Sequence, residues 1–473
     1  MIARLVGRSC VAASYLAGLL LFCPAANVQA QGVVQAAAAA RLQRGQELFS
    51  RIWVPTSAAS KGDGLGPMFN DVSCVACHQL GGVGGAGAGD KNIRLLTVVP
   101  PAGQHTATEQ ADFGRRVARV LPAFWTGTSL RSTVVLHHSS TDLDYATLRE
   151  RLLFGIPPLE GDRKARAIKA VSSRKRLQAP VKSVKVDGIA FRSSERNTTP
   201  LFGLGLVDKI PLSALEAIAT EQPKESPGVS GRVAPGGGRF GWRGQIATLE
   251  DFVLTACSVE LGLEVPEHHQ AANPMLGPTA NALLDMTADE CEALVMFVAS
   301  LRRPVRQEPS GARQIAAVRN GEQVFASVGC AACHVPDVGE VEGLYSDLLL
   351  HDMGPGLNDP VPAGPHTMQI QTQVGTQTVK SSGYAGGVTN VFAVFSTSEF
   401  TVPSNTGQEW KTPPLWGVAS SGPYLHDGRA ATLDAAILLH GGEAADSVRR
   451  YSQLPADGRA RLIGFLQTLV APH

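Results

Sequence analysis

Apolar positions in this chain fall mostly into helical periodicity, and the periodic stretches come in two matching sets. Leu42, Leu48, Phe49 and Ile52 space out along one helix face over residues 36–53. Gly45 lies one turn before Phe49, which lets a crossing helix approach at the glycine and pack on the ring. A second helix follows Leu249 and runs through Glu260, with Pro266 past its end. A third spans Thr287 to Leu301, with Leu294, Val295, Phe297, Val298 and Leu301 apolar. The second half repeats this order. Gly321 and Phe325 mirror Gly45 and Phe49. Thr412 to Gly417 mirrors Thr199 to Gly203, His426 to Leu433 mirrors Trp242 to Leu249, and Arg459 to Leu469 mirrors Cys291 to Leu301. The pattern predicts an internal duplication of about 160 residues. Strand signals are few, so the expected class is mainly α.

Between the repeats the pattern weakens. Residues 79–200 read as a long, loop-rich insert in the first copy, opening on the glycine run Gly81 to Gly89. Residues 161–196 carry eleven Lys/Arg against three acids. That is either a docking face for an acidic partner or a solvated loop. His105, His137 and His138 fall in this insert and read as surface histidines. Arg302 to Gly311, with two prolines, reads as a linker.

Length and composition narrow the class further. With 473 residues, 44% hydrophobic and 18% charged, the chain is an ordinary globular protein of two or three domains. Fifty glycines and thirty prolines point to long irregular loops. The formal charge of +1 suggests no nucleic-acid partner. Residues 1–30 have a basic start, an apolar run from Cys10 to Phe22 and a Val28-Gln29-Ala30 cleavage site. They read as a secretory signal, too short in its apolar run for a membrane anchor. No membrane span is expected after its removal.

The chemistry lies in two pentapeptides, Cys74-Val75-Ala76-Cys77-His78 and Cys330-Ala331-Ala332-Cys333-His334. Cys-x-x-Cys-His is the attachment signal for c-type haem. Two intervening residues let both sulfurs reach the vinyls of one porphyrin edge, and the next residue, His, ligates the iron. A zinc knuckle or a redox dithiol fits less well, because neither pentapeptide has a second ligand pair at zinc spacing. Two covalently bound haem c groups in an exported chain imply the bacterial periplasm. The expected organisation is a signal at 1–30 and a cytochrome c-like domain at 31–301 with its insert at about 79–200. A linker at 302–311 and a second cytochrome c-like domain at 312–473 follow. Two cysteines, Cys257 and Cys291, remain, and a leftover pair in an oxidising compartment is expected to form a disulfide, with two buried free thiols as the alternative.

Both pentapeptides, Tyr345 to Gly354, Glu409 to Gly417, His426 to Arg429 through His440 to Glu443, and Phe240-Gly241-Trp242 together resemble the di-haem oxidoreductase family of peroxidase-type proteins. That family groups with bacterial di-haem cytochrome c peroxidases and MauG-like enzymes, and some members bear the name thiol oxidoreductase. In such peroxidases the distal ligand of the C-terminal haem stands fourteen positions after the His of His-Asp-Gly. That offset from His426 lands on His440, where the relatives have Met or Tyr. The resemblance therefore implies bis-His ligation by His334 and His440, with Met353 as the rival ligand. Trp242 matches the tryptophan between the haems that relays electrons, with Arg243 in place of the family's Asp. Val259 to Gly262 resembles the stretch holding the distal glutamate, which makes Glu260 the acid–base group at the haem of His78. The internal repeat places Ala256 opposite His440, so no imidazole from that helix reaches the first haem. Relatives also bind calcium between their domains, for which no ligand motif is visible here.

The implied function is a periplasmic peroxidase or peroxide-dependent oxidase. It would take hydrogen peroxide as oxidant and a small redox protein or another electron donor as partner. The alternatives are an electron-transfer cytochrome without peroxide chemistry and an oxygenase like the rubber-cleaving di-haem enzymes.

Overall fold

The computed structural model describes residues 24–472 apart from 57–61, 102–105, 125–129, 132, 155–182, 272, 276–282, 360–365, 381–388 and 403–405. His105 and residues 161–182 of the basic stretch lie outside the described residues, as does most of the proposed signal.

The first helical layer forms where the sequence pattern places it. The helix Pro24–Ser50 crosses the helix Ala288–Ser300. A Cβ on Gly45 would stand 2.0 Å from the Ala293 carbonyl oxygen, so only glycine allows this approach. One turn on, the Phe49 and Phe297 rings pack with centroids 5.3 Å apart. Thr287 caps the second of these helices through a reciprocal bond with Glu290. The helix Leu249–Glu260 is capped by Thr248, whose side chain accepts from the Asp251 N–H. Its Leu254 and Cys257 join Leu48, Phe49, Cys291 and Leu294 in one buried core.

The same geometry recurs in the second half. The helix Ala312–Ser327 crosses the helix Ala456–Leu466, and a Cβ on Gly321 would stand 2.1 Å from the Arg461 carbonyl oxygen. Phe325 packs on Phe465 with centroids 5.4 Å apart. The loops at Trp242 and His426 are alike too. Isolated bridges join Phe240 to Ile246 and Tyr424 to Ala430, with Gly244 and Gly428 both in the left-handed region. These 302–311 residues between the two halves form no helix, and Arg306 bridges to Leu469.

The class is mixed helix and sheet, which corrects the mainly α expectation. The insert contributes one sheet, and the antiparallel pair His366–Lys380 and Thr389–Val402 a second. Thr133–Val135, Ile93–Val99, Ile189–Arg196 and Ser183–Val186 lie side by side as a four-stranded antiparallel sheet. The helices Ala107–Val120 and Leu143–Phe154 accompany it. Leu96, Val98, Val117, Phe124, Tyr145 and Phe191 form a core of its own. The stretch read as loop-rich is thus a small α+β layer. Short strands separated by glycine and polar runs leave a weak pattern, and only the pairing across more than ninety residues makes the sheet.

Cys257 and Cys291 are free thiols, both buried. This corrects the disulfide expectation in favour of its alternative: each thiol fills the apolar core between two packed helices as a small hydrophobic side chain. Among the described residues no helix is long and apolar enough to cross a membrane.

Candidate haem sites and the residues between them

Each pentapeptide makes a single tight turn that opens onto a cavity. Cys74–Cys77 is one helical turn, capped by the Ser73 hydroxyl, which accepts from the Ala76 N–H at 3.2 Å. His78 follows, with its Nδ1 3.1 Å from the Gly85 carbonyl oxygen and its ring beside Phe49. The adjoining cavity, of about 980 Å³, is lined by Cys74, Cys77, His78, Ala256, Glu260 and Leu294, among others. The second turn, Cys330–Ala332, starts from Gly329 in the left-handed region. His334 then sets its Nδ1 2.9 Å from the Tyr345 carbonyl oxygen, with its ring beside Phe325. Its cavity, of about 270 Å³, is lined by Cys330, Cys333, His334, Met353 and His440.

These residues fit haem. A ring that donates from Nδ1 to a carbonyl keeps its Nε2 lone pair, and such a bond is the usual support of a ligating imidazole. Burial pushes both His78 and His334 down to about 4, so each ring is neutral at physiological pH. Burial also pushes the Cys74, Cys77 and Cys330 thiols up to about 12.

His440 closes the helix Leu433–Leu439, and its Nδ1 lies 2.7 Å from the Ala436 carbonyl oxygen. It shares the second cavity with His334, as does its rival Met353. In the first cavity the matching helix is longer, and both Ala256 and Glu260 line the wall. Ala256 and Glu260 therefore lie on the same helix face, one turn apart.

Glu260 faces the cavity from deep in the molecule. Burial raises its carboxyl to about 7, against a lowering hydrogen bond from the Asn70 side-chain amide. Asn70, ahead of the insert, and His137, within it, fix this helix end. Asn70 N–H donates to the Glu260 carbonyl at 2.7 Å, and His137 Nε2 lies 2.8 Å from the Val259 carbonyl. His138 N–H holds Asn70 through its Oδ1 at 2.9 Å. His137 is 3% exposed, which corrects its reading as a surface histidine. Its ring is needed to satisfy a carbonyl at the end of a buried helix.

Trp242 lines both cavities, together with Asn197, Thr199, Gly241 and Phe252. Its indole N–H donates to the Asn197 carbonyl at 2.8 Å. Arg243 lines the first cavity as well. Its guanidinium donates to the Glu409 and Gly407 carbonyls and lies 4.1 Å over the Trp410 ring. Trp410 in turn stacks on His426 at 3.6 Å between centroids. That stack had no signal in the sequence beyond the two motifs it joins.

A buried charge cluster also escaped the sequence reading. His351 sits between Asp347 at Nε2, 2.9 Å, and Glu443 at Nδ1, 2.7 Å. Against the downward pull of burial, the bonds to these carboxylates and to Cys333 raise His351 to about 12. Gln222 donates both to Asp347 and to the Ala332 carbonyl, which ties the cluster to the second pentapeptide. Cys333, Asp347 and His351 lie close enough to share an ion, but both imidazole nitrogens are already engaged by carboxylates. The spacing Asp347 to His351 was its only trace in the sequence.

The two pentapeptide cavities share Trp242 in their walls. Residues 399–469 match the family described as "Di-haem oxidoreductase, putative peroxidase", which bears out the resemblance and implies haem cofactors and an oxidoreductase role. Hydrazine synthase subunit gamma of Kuenenia stuttgartiensis is 30% identical over 155 residues. That match covers 30% of this chain and 38% of that protein. A hydrazine synthase structure from Kuenenia stuttgartiensis aligns at 19% identity and a TM-score of 0.32, over 58% of this chain and 73% of its own. A MauG-like protein associated with microbial copper homeostasis aligns at 15% identity and a TM-score of 0.29, over 79% of this chain and 92% of its own.

Proposed function

We propose that the chain is an exported, periplasmic di-haem c-type oxidoreductase that consumes hydrogen peroxide, as a peroxidase or a peroxide-dependent oxidase. One observation carries the reading: Trp242 stands in the wall of both cavities, with the Glu260 carboxyl in one and the His440 imidazole in the other. Cys74 and Cys77 would hold one haem and Cys330 and Cys333 the other, each through thioether bonds, with His78 and His334 as proximal ligands. The recurrent helix crossings support two cytochrome c-like domains related by duplication, at 31–301 and 312–473. The signal read at 1–30 supports export.

Haem supplies an iron that stores and passes electrons and, where a coordination position is open, binds peroxide. The protein supplies the rest. Breaking the peroxide bond requires a proton to leave one oxygen and arrive on the other. Glu260, with a carboxyl near 7, can take and return that proton at neutral pH. Ala256 leaves the space above the first cavity without an imidazole from this helix. His440, held by the Ala436 carbonyl, presents one to the second cavity. Trp242, fixed by Asn197, offers an aromatic step between the two. A small redox protein or another donor supplies the electrons.

Optical and EPR spectra of the ferric protein, before and after hydrogen peroxide, test this reading. The expected result is one low-spin haem and one open or weakly capped haem that responds to peroxide. Indifference to peroxide, even after one-electron reduction, would make the chain an electron carrier.

A further inference from the structure

The cavity of Cys330 and His334 is lined by side-chain donors that lack acceptors. Asn197 Nδ2, Arg239 Nε and Trp416 Nε1 are buried and make no hydrogen bond among the described residues. Lys411 is 8% exposed and its ammonium has neither a hydrogen bond nor an ion pair among the described residues. Asn197 and Trp416 are buried to a similar degree.

Lys411 contrasts with several cations of the first cavity, which have carboxylate partners. At the first, Lys91 pairs with Asp71 at 2.6 Å, Arg232 with Glu409 at 2.5 Å and Arg196 with Asp359. At the second, the Glu443 carboxylate is taken up by His351 and the Ser230 N–H. Lys411 cannot swing out to find a partner. It ends the strand Glu409–Lys411, paired with Leu350, and its own N–H donates to the Trp242 carbonyl at 3.0 Å. A buried, unpaired ammonium is costly, and donors without acceptors add to that cost. The cost is met when an anionic acceptor occupies the cavity.

We infer that these donors form the pocket for the two propionate carboxylates of the haem in this cavity, with Lys411 as counter-ion to one of them. Carboxylates accept several hydrogen bonds and bring the negative charge that Lys411 lacks. Arg239, which donates a long bond of 3.4 Å to the Asp208 carbonyl, is the cation left for the other. Burial pushes the Lys411 ammonium down to about 8 against the weaker upward pull of the Asp347 carboxylate, which makes no ion pair with it. The inference rests on the haem reading above.

The test compares wild type with Lys411→Met and Lys411→Arg, each as holo-protein without added substrate. Haem content is measured first, by pyridine haemochrome on the denatured chain. A wild type without haem overturns both this inference and the reading beneath it. With two haems present, Lys411→Met is expected to lower the reduction potential of the low-spin haem, because an uncompensated carboxylate favours the ferric state. It should also shift the propionate bending band in resonance Raman spectra, while Lys411→Arg leaves both near wild type. Loss of the second haem in Lys411→Met alone would support the same charge requirement. Unchanged potential and band in Lys411→Met, or loss of the second haem in both variants, would overturn it. So would a wild-type band that moves when acetate is added, since the pocket would then be open to free carboxylates.

Discussion

A carboxyl poised near neutrality can both take and return a proton, and Glu260 owes that poise to its place at a buried helix end beside Asn70. Glu260→Gln keeps the size and removes the base. Peroxide consumption is expected to fall by ~10²–10⁴-fold, measured by stopped-flow kinetics, with both haems retained. The same change carries a stability signature. Because the folded carboxyl is raised from 4.5 to about 7, ionising it costs folding free energy. That cost is absent below pH 4.5, grows as pH rises and is complete above about 7. Glu260→Gln should therefore match wild type at low pH and exceed it above pH 7, by about 1–3 kcal/mol. Thermal melts across that window measure the difference. His440→Ala should convert one low-spin ferric signal to high-spin and leave the other haem unchanged in EPR. An unaltered spectrum would move the ligand to Met353, which lines the same cavity.

At the scale of elements, both helix crossings rely on a glycine against a carbonyl. Gly321→Ala would put a Cβ 2.1 Å from backbone, so the helices Ala312–Ser327 and Ala456–Leu466 must move apart. The expected loss is about 1–3 kcal/mol in denaturant unfolding, with the Phe325–Phe465 contact loosened. This crossing was legible in advance, because glycine and phenylalanine one turn apart say where a helix can be approached. The insert was not. Its strands find their partners across long sequence separations, as when Leu95 pairs with both Val135 and Ser194. Neither strand has a pattern strong enough to announce the sheet alone. Its contribution to the site is the hold of His137 on the Val259 carbonyl and of His138 on Asn70, at the end of the Glu260 helix.

For the whole molecule, the thiol count separates the cofactor reading from its rivals. If four cysteines are thioethers, denatured protein without its signal should label at two thiols, Cys257 and Cys291, with no reductant needed. The native protein should label slowly, since both thiols are buried and burial raises both well above their usual range. Mass spectrometry of the labelled chain reads the count, and six labels would end the covalent haem reading. What the sequence alone determined was local chemistry. The pentapeptides set ligand types at fixed spacing, and the glycine, phenylalanine and threonine positions set helix packing and caps, because each depends on residues within a turn or two. The tertiary structure decided what lies across a gap. Only folding brings Trp242 into the walls of both cavities, stacks Trp410 on His426, and buries His351 between Asp347 and Glu443. The His351–Glu443 contact alone joins positions 92 residues apart in the chain. The energies of these contacts arise from desolvation and charge pairing in a shared interior, which no single stretch of sequence contains.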